Sequence, residues 1–148
     1  MPYEIIERDY LVSDNKQKLD IPFIHNYLSK ESYLAHNIPV DVVRRSIENS
    51  ISFGVYHLGK QVGFARVTTD KATFAYLADV FIIEHYRGKG LSRMLLESIH
   101  AHPELQGLRR WMLGTRDAHG LYIKIGWTSI PNPDRFMQLH FPDVYIKD

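Results

Sequence analysis

Cysteine is missing from these 148 residues, which removes disulfides and thiolate metal ligation and suits a reducing cytoplasm. No run of apolar residues is long enough to cross a bilayer. The opening Met1-Pro2-Tyr3-Glu4 lacks the basic-then-apolar pattern of a signal peptide. Neither charge sign dominates: 18 Lys and Arg against 17 Asp and Glu leave a net charge of +1. Neither nucleic acid nor a membrane surface is therefore an expected partner. Repeats, low-complexity segments and Gly/Ser/Pro linkers are also lacking. The eight histidines never take the His-x-x-x-His spacing of a helical zinc site, so no metal is expected.

What is present reads as one soluble cytoplasmic domain over residues 1–148. Its composition is 45% hydrophobic and 24% charged, enough for a core without staples. Residues 3–12, with β-branched and aromatic side chains, predict a first strand. Asp20 is placed to cap a helix with Ile21, Ile24 and Leu28 on one face and Pro22 in its first turn. Residues 29–39 break helical period and read as a loop, after which Val40, Val43 and Ile47 mark a second helix. Strands are expected over residues 51–57, 62–69 and 73–82, the first two joined as a hairpin. Leu91, Met94, Leu95, Ser98 and Ile99 form the buried face of the next helix, which His102-Pro103 ends. A strand over 109–115 precedes a helix lined by Ala118, Leu121, Tyr122 and Ile125 and stopped by Gly126. Last strands are expected over 127–130 and 136–140. The order implies a mixed α/β sheet with helices on both faces.

The most telling segment is Val80-Phe81-Ile82-Ile83-Glu84-His85-Tyr86-Arg87-Gly88-Lys89-Gly90-Leu91-Ser92: a strand, a two-glycine turn and a helix start. Such a turn aims unpaired backbone N–H groups at an anion. Gly88-Lys89 is followed by Gly90 rather than Ser or Thr, so a Walker loop is excluded, and the third glycine of a dinucleotide fingerprint is missing. From the turn alone, a simple chain reversal with a solvated Lys89 is slightly favoured.

Arg87-Gly88-Lys89-Gly90-Leu91-Ser92 resembles the Arg/Gln-x-x-Gly-x-Gly/Ala motif of the GNAT superfamily of N-acetyltransferases. Ala118-His119-Gly120-Leu121-Tyr122-Ile123-Lys124-Ile125-Gly126-Trp127 resembles that family's Ala-x-x-Leu-Tyr-x-Lys-x-Gly-Phe segment. The specific likeness covers residues 76–127; the tail around Arg135 resembles a bacterial branch of unassigned substrate. Ser92 departs from the usual Gly or Ala, and Thr115 stands where many relatives carry Asn.

This resemblance implies a GNAT-like fold: a mixed, mostly antiparallel sheet of six or seven strands with helices on both faces. It implies acetyl-CoA as co-substrate. Amides from Gly88 to Ser92, Leu91 included, would hold the pyrophosphate, with Arg87 and Lys89 as mobile positive charge. Val80, Phe81 and Ile82 would pair with the pantetheine arm, near Thr115. Tyr122 matches the general acid; a phenol of pKa about 10 can protonate a thiolate whose acid has a pKa of about 8.5. Tyr122 also lies on the helix's apolar stripe, where it would pack in a core.

Asp79 interrupts an apolar strand, as a base acting through water, an amine-binding group, or half of a structural ion pair. Glu84 and His85 read as solvated, and His119 as a helix-start histidine without a task. The acceptor site is expected from the early loop (Ser32, Tyr33, His36) and the last strands (Arg135, Met137). The expected function is N-acetyl transfer to a primary amine of a small molecule or peptide, by direct attack in a ternary complex. The alternative is a non-catalytic acyl-CoA-binding module. Oligomeric state is unreadable from the sequence, although a homodimer is the commonest assembly for such domains.

Overall fold

The computed structural model describes residues 1–33 and 35–146. Two compact units make up the chain, Met1–Gly114 and Thr115–Asp148. The first holds a six-stranded sheet in sequence order: β1 (Glu4–Glu7), β2 (Tyr10–Ser13), β3 (Ile51–His57), β4 (Lys60–Thr69), β5 (Phe74–Ile82) and β6 (Arg110–Leu113). Every neighbouring pair is antiparallel except β5 and β6, which run parallel. That parallel pair needs a crossover, supplied by helix α3 below.

Residues 3–12 are two strands rather than one. Arg8, at φ 55°, turns the chain so that Ile5 faces Val12 and Ile6 faces Leu11. The polar Arg8-Asp9 step is the break in the apolar pattern. Asp20 caps helix α1 (Ile21–Asn26), its Oδ1 accepting from Phe23 N–H at 3.0 Å. The chain continues as a π-helical turn, Tyr27–Glu31, so the loop expected from residue 29 begins at Ser32. Helix α2 spans Val40–Glu48 with Val43 and Ile47 buried. Before β5, the Asp70 carboxylate accepts from the Thr73 hydroxyl and from the amides of Thr73, Ala72 and Phe74, which holds its pKa well below the usual carboxylate range. Helix α3 (Leu91–His100) buries Leu91, Leu95, Leu96 and Ile99.

The sheet separates two apolar layers. Phe53 opposes Ala65 and Gly54 opposes Phe64, so Phe53 and Phe64 project to opposite faces, both fully buried. Phe53 meets His102, just beyond α3, edge-on at 5.6 Å. Phe64 meets Phe81 at 6.1 Å, and Phe81 in turn meets Phe23 of α1. Each fully buried Phe contributes about 1.5–3 kcal/mol by leaving water. His102 closes α3 onto the sheet: Glu104 N–H donates to its Nδ1 at 3.1 Å, which leaves Nε2 to donate to Asp14 at 2.8 Å.

Among the described residues, one buried side-chain group is unsatisfied. The Tyr56 hydroxyl has no hydrogen-bond partner, and burial, reinforced by Glu4 and Asp20, pushes its pKa up. Removing such a hydroxyl removes a desolvation cost. Tyr56→Phe is expected to stabilise the protein by about 1 kcal/mol, read as a higher midpoint in urea. A lower midpoint would show that this hydroxyl has a partner in solution.

In the second unit, helix α4 (His119–Lys124) buries Tyr122, whereas Leu121 and Ile125 on the expected apolar stripe are half-buried. Gly126, at φ 102°, ends the helix region. The expected strands over 127–130 and 136–140 are not present among the described residues. Chain without regular structure occupies both ranges, with a 3-10 turn at Pro133–Arg135 between them. Pro131 and Pro133 each lack the N–H a ladder needs. The sheet therefore has six strands, not seven.

Candidate active site

β5 carries one residue more than its neighbour. Phe64 opposes Phe81, but Arg66 opposes Ala78, so Asp79 and Val80 face Ala65 alone. This is a β-bulge, and Asp79 sits in it at φ 57°, in the left-handed region that Asp tolerates better than most residues. The Asp79 carboxylate is held: Arg66 Nε donates to its Oδ2 at 3.0 Å, with the side chains 20% and 14% exposed. Arg66 Nη1 also donates to Thr68 Oγ1 at 3.2 Å. The ion pair anticipated as one reading of Asp79 is thus formed, and its Oδ1 has no protein partner among the described residues.

Just before the bulge, β5 parts from β6. Their parallel pairing runs from Phe74 to Leu77 and stops, so Val80, Phe81 and Ile82 have no strand beside them on that side among the described residues. The open edge can take an extended ligand. Ile82 is partly committed, because its carbonyl accepts from Arg87 Nε at 2.9 Å.

The expected mobility of Arg87 is corrected by its partners. Besides Ile82, it donates through Nη2 to the Tyr27 hydroxyl at 2.9 Å, and Tyr27 lies parallel to Phe81 with ring centroids 3.8 Å apart. Arg87 therefore ties the turn to the end of β5 and to the π-helical turn; its charge is local but its side chain is engaged. Lys89 is exposed.

At the turn, Gly88 and Gly90 adopt φ 78° and 80°, which L side chains take only with strain. Nothing lies within 4 Å of where a Cβ would stand on either residue. Helix α3 makes its first backbone bond from Met94 N–H to Gly90 at 3.1 Å, leaving the amides of Leu91, Ser92 and Arg93 without intrahelical acceptors. The N-cap residue, Gly90, makes no side-chain bond to them. Uncapped amides at the positive end of a helix, behind a turn with open space in front, suit an anionic group such as a pyrophosphate.

In the second unit, Thr115 Oγ1 accepts from Ala118 N–H at 3.1 Å and so organises the start of α4. Tyr122 is 8% exposed, its ring 5.7 Å from that of Trp127. Gly120 has nothing within 4 Å of a would-be Cβ, so no neighbouring backbone explains it. Arg135 and Met137 are exposed in this unit, and Tyr33 is exposed in the first. Among the described residues, no cluster of three His, Asp or Glu side chains suits a metal ion, and no helix is long and apolar enough to cross a membrane.

Sequence reasoning missed Tyr27 and Arg66. For Arg66 a signal existed: it interrupts the apolar run Val62-Gly63-Phe64-Ala65-Arg66-Val67 just as Asp79 interrupts its own. Two opposite charges in adjacent apolar strands are a pair in waiting. Tyr27 carried no comparable signal.

Removing the charge from this pair leaves Arg66 without its carboxylate. Asp79→Asn is expected to cost about 1.5–3 kcal/mol of stability, the range for a hydrogen bond to a charged group. Chemical denaturation checks this; an unchanged midpoint would mean the pair is not formed in solution.

Comparison with known proteins gives the family. A model of the acetyltransferase (GNAT) domain matches residues 48–129. The chain is 33% identical over 138 residues to a Gibberella zeae protein named as a candidate acetyltransferase, covering 78% of this chain and 77% of that one. A solved structure of a candidate GNAT-family acetyltransferase from Xanthomonas campestris pv. campestris matches with a TM-score of 0.90 at 46% identity, over 93% of this chain and 97% of that one. At 15% identity, a candidate acetyltransferase structure from Deinococcus radiodurans R1 (TM-score 0.72, 92% of this chain, 91% of that one) shares the fold alone. With the bulged strand, the glycine turn and the uncapped helix start now joined by a family match over more than half its length, this chain belongs to the GNAT family of acetyltransferases.

Proposed function

We propose that this protein is an acetyl-CoA-dependent N-acetyltransferase acting on a primary amine of a small molecule or peptide by direct attack in a ternary complex. The observation that carries the reading is the uncapped start of α3 behind Gly88 and Gly90, at the end of a strand whose outer edge is open. Acetyl-CoA supplies a thioester: the amine nitrogen bonds to its acyl carbon, the C–S bond breaks and free CoA leaves.

The chain's own groups bind, orient and move protons. Amides from Gly88 to Arg93 hold the pyrophosphate, with Lys89 as nearby charge. The backbone of Val80 and Phe81 aligns the pantetheine arm as an added strand. Arg87 keeps the turn and the strand end in register through Ile82 and Tyr27. Tyr122 gives its phenolic proton to the departing thiolate. Asp79 Oδ1 receives the proton that the amine loses, through a water. Tyr33 and Arg135 contact the acceptor.

Release of free thiol from acetyl-CoA, screened across polyamines, aminoglycosides, amino acids and peptides, tests the reading. Thiol release with one acceptor class supports it. Binding of acetyl-CoA without release for any acceptor would instead make the protein an acyl-CoA-binding module.

A further inference from the structure

The two residues that lead into the glycine turn are anchored on opposite faces of the sheet. Arg87 reaches Tyr27, on the face that carries Phe64 and Phe81. Tyr86 goes the other way. Its hydroxyl shares a hydrogen bond with Nδ1 of His57 at 2.9 Å, and the two rings meet at 5.3 Å, edge to face. His57 is the last residue of β3 and alternates with Val55 and Phe53, so it stands on the face that carries Phe53 and His102. The ring of Tyr10, opposite His57 in the ladder, stacks on the imidazole with centroids 4.8 Å apart. Tyr86 itself closes the 3-10 turn Glu84–Tyr86, its amide donating to the Ile83 carbonyl at 2.9 Å. All three rings are half-buried.

We propose that Tyr86 and His57 are positioning residues for the pyrophosphate of acetyl-CoA. Their hydrogen bond, acting with the Arg87 contacts on the opposite face, holds the glycine turn in the conformation that presents its amides. The need for such a hold lies in the turn itself. Gly88 and Gly90 have the widest backbone freedom of any residue type, and nothing stands within 4 Å of a would-be Cβ on either. A turn of this kind spends part of its time in conformations that cannot bind, and apparent affinity falls with the competent fraction. One anchor leaves the entering chain free to swing toward the other face. Two anchors on opposite faces do not. Neither the Tyr86 phenol nor the imidazole needs to touch the ligand.

This role rests on the reading of the turn as the pyrophosphate site, and the two fail differently. Acetyl-CoA binding to the full chain, measured by calorimetry beside the unliganded melting temperature, separates them. Tyr86→Phe and His57→Phe each keep an aromatic ring in place and remove the hydrogen bond. Each is expected to raise Kd by about 2- to 10-fold, the span of one hydrogen bond's net contribution. The double variant should bind no more weakly than either single one, because the same bond is lost once. His57→Asn, whose amide can stand near the place of Nδ1 and either donate or accept, should recover most of the affinity. A cluster that merely stabilises the fold would give lower melting temperatures with Kd unchanged, and that result overturns the role. So do losses that add in the double variant, or a His57→Asn protein that binds as weakly as His57→Phe. A wild type that binds no acetyl-CoA would remove the pyrophosphate reading, and this role with it.

Discussion

Gly90→Asp is expected to abolish the rise in melting temperature that acetyl-CoA produces, while leaving the unliganded protein folded. Acetyl-CoA at about 100 times its Kd should stabilise wild type by about 2.7 kcal/mol, a shift of roughly 5–10 °C for a domain of this size. The substitution adds backbone strain at this left-handed position, but three features keep the fold intact. Gly90 is exposed, nothing stands within 4 Å of a new Cβ, and Asp tolerates φ near 80° better than most residues. Gly90 is also the N-cap of α3, a position Asp favours. That preference is why binding should fail: the new carboxylate takes the amides of Ser92 or Arg93 and cancels the positive end of the helix that a phosphate would use. Gly90→Asn carries the same shape without charge and should retain part of the shift. A full shift in Gly90→Asp would place the ligand's phosphates elsewhere.

Tyr122→Phe is expected to lower kcat by at least about 100-fold, the lower range for loss of a positioned acid, with the thermal shift by acetyl-CoA preserved. The ring keeps its contact with Trp127 at 5.7 Å and its buried place in α4, so packing changes little. The substitution removes the hydroxyl that the proposal makes the proton donor. The split between turnover and binding separates chemistry from structure: a packing defect would lower the unliganded melting temperature together with kcat. A variant with wild-type kcat would remove Tyr122 from the proton path.

Where periodicity is strong, sequence and structure agree closely. The strand over residues 51–57 has the expected limits, and Asp20 caps α1 as its position before Ile21-Pro22 implies. The misreadings have local physical causes. Arg8 interrupts an otherwise continuous strand pattern by turning the chain, and a single left-handed residue leaves little mark in composition. The end of the chain has strand periodicity, but periodicity reports a face to be covered without naming what covers it. Arg87 matched a motif by type, and its use was invisible because both partners, Ile82 and Tyr27, depend on tertiary placement. Asp79 was conspicuous and ambiguous for the same reason: its partner lies on another strand. The glycine turn was legible because backbone conformation, which glycine spacing encodes, carries most of the chemistry expected of it.

The extra residue in β5 also resets the phase of the strand. Before it, Phe74, Tyr76 and Ala78 share a face; after it, the same face is taken by Phe81, opposite Phe64. Even positions hand over to odd ones at Asp79. Pairing the strand regularly without losing a residue would set Val80 opposite Phe64 and turn Phe81 away from Tyr27; only the loss of one residue here would give a regular ladder with Phe81 still in place. The aromatic stack that anchors Arg87, and with it the turn, thus depends on a count of residues as much as on their kinds. Along this strand the bulge fixes the register: substitutions can be absorbed locally, whereas a slip of pairing by one residue inverts every side chain that follows.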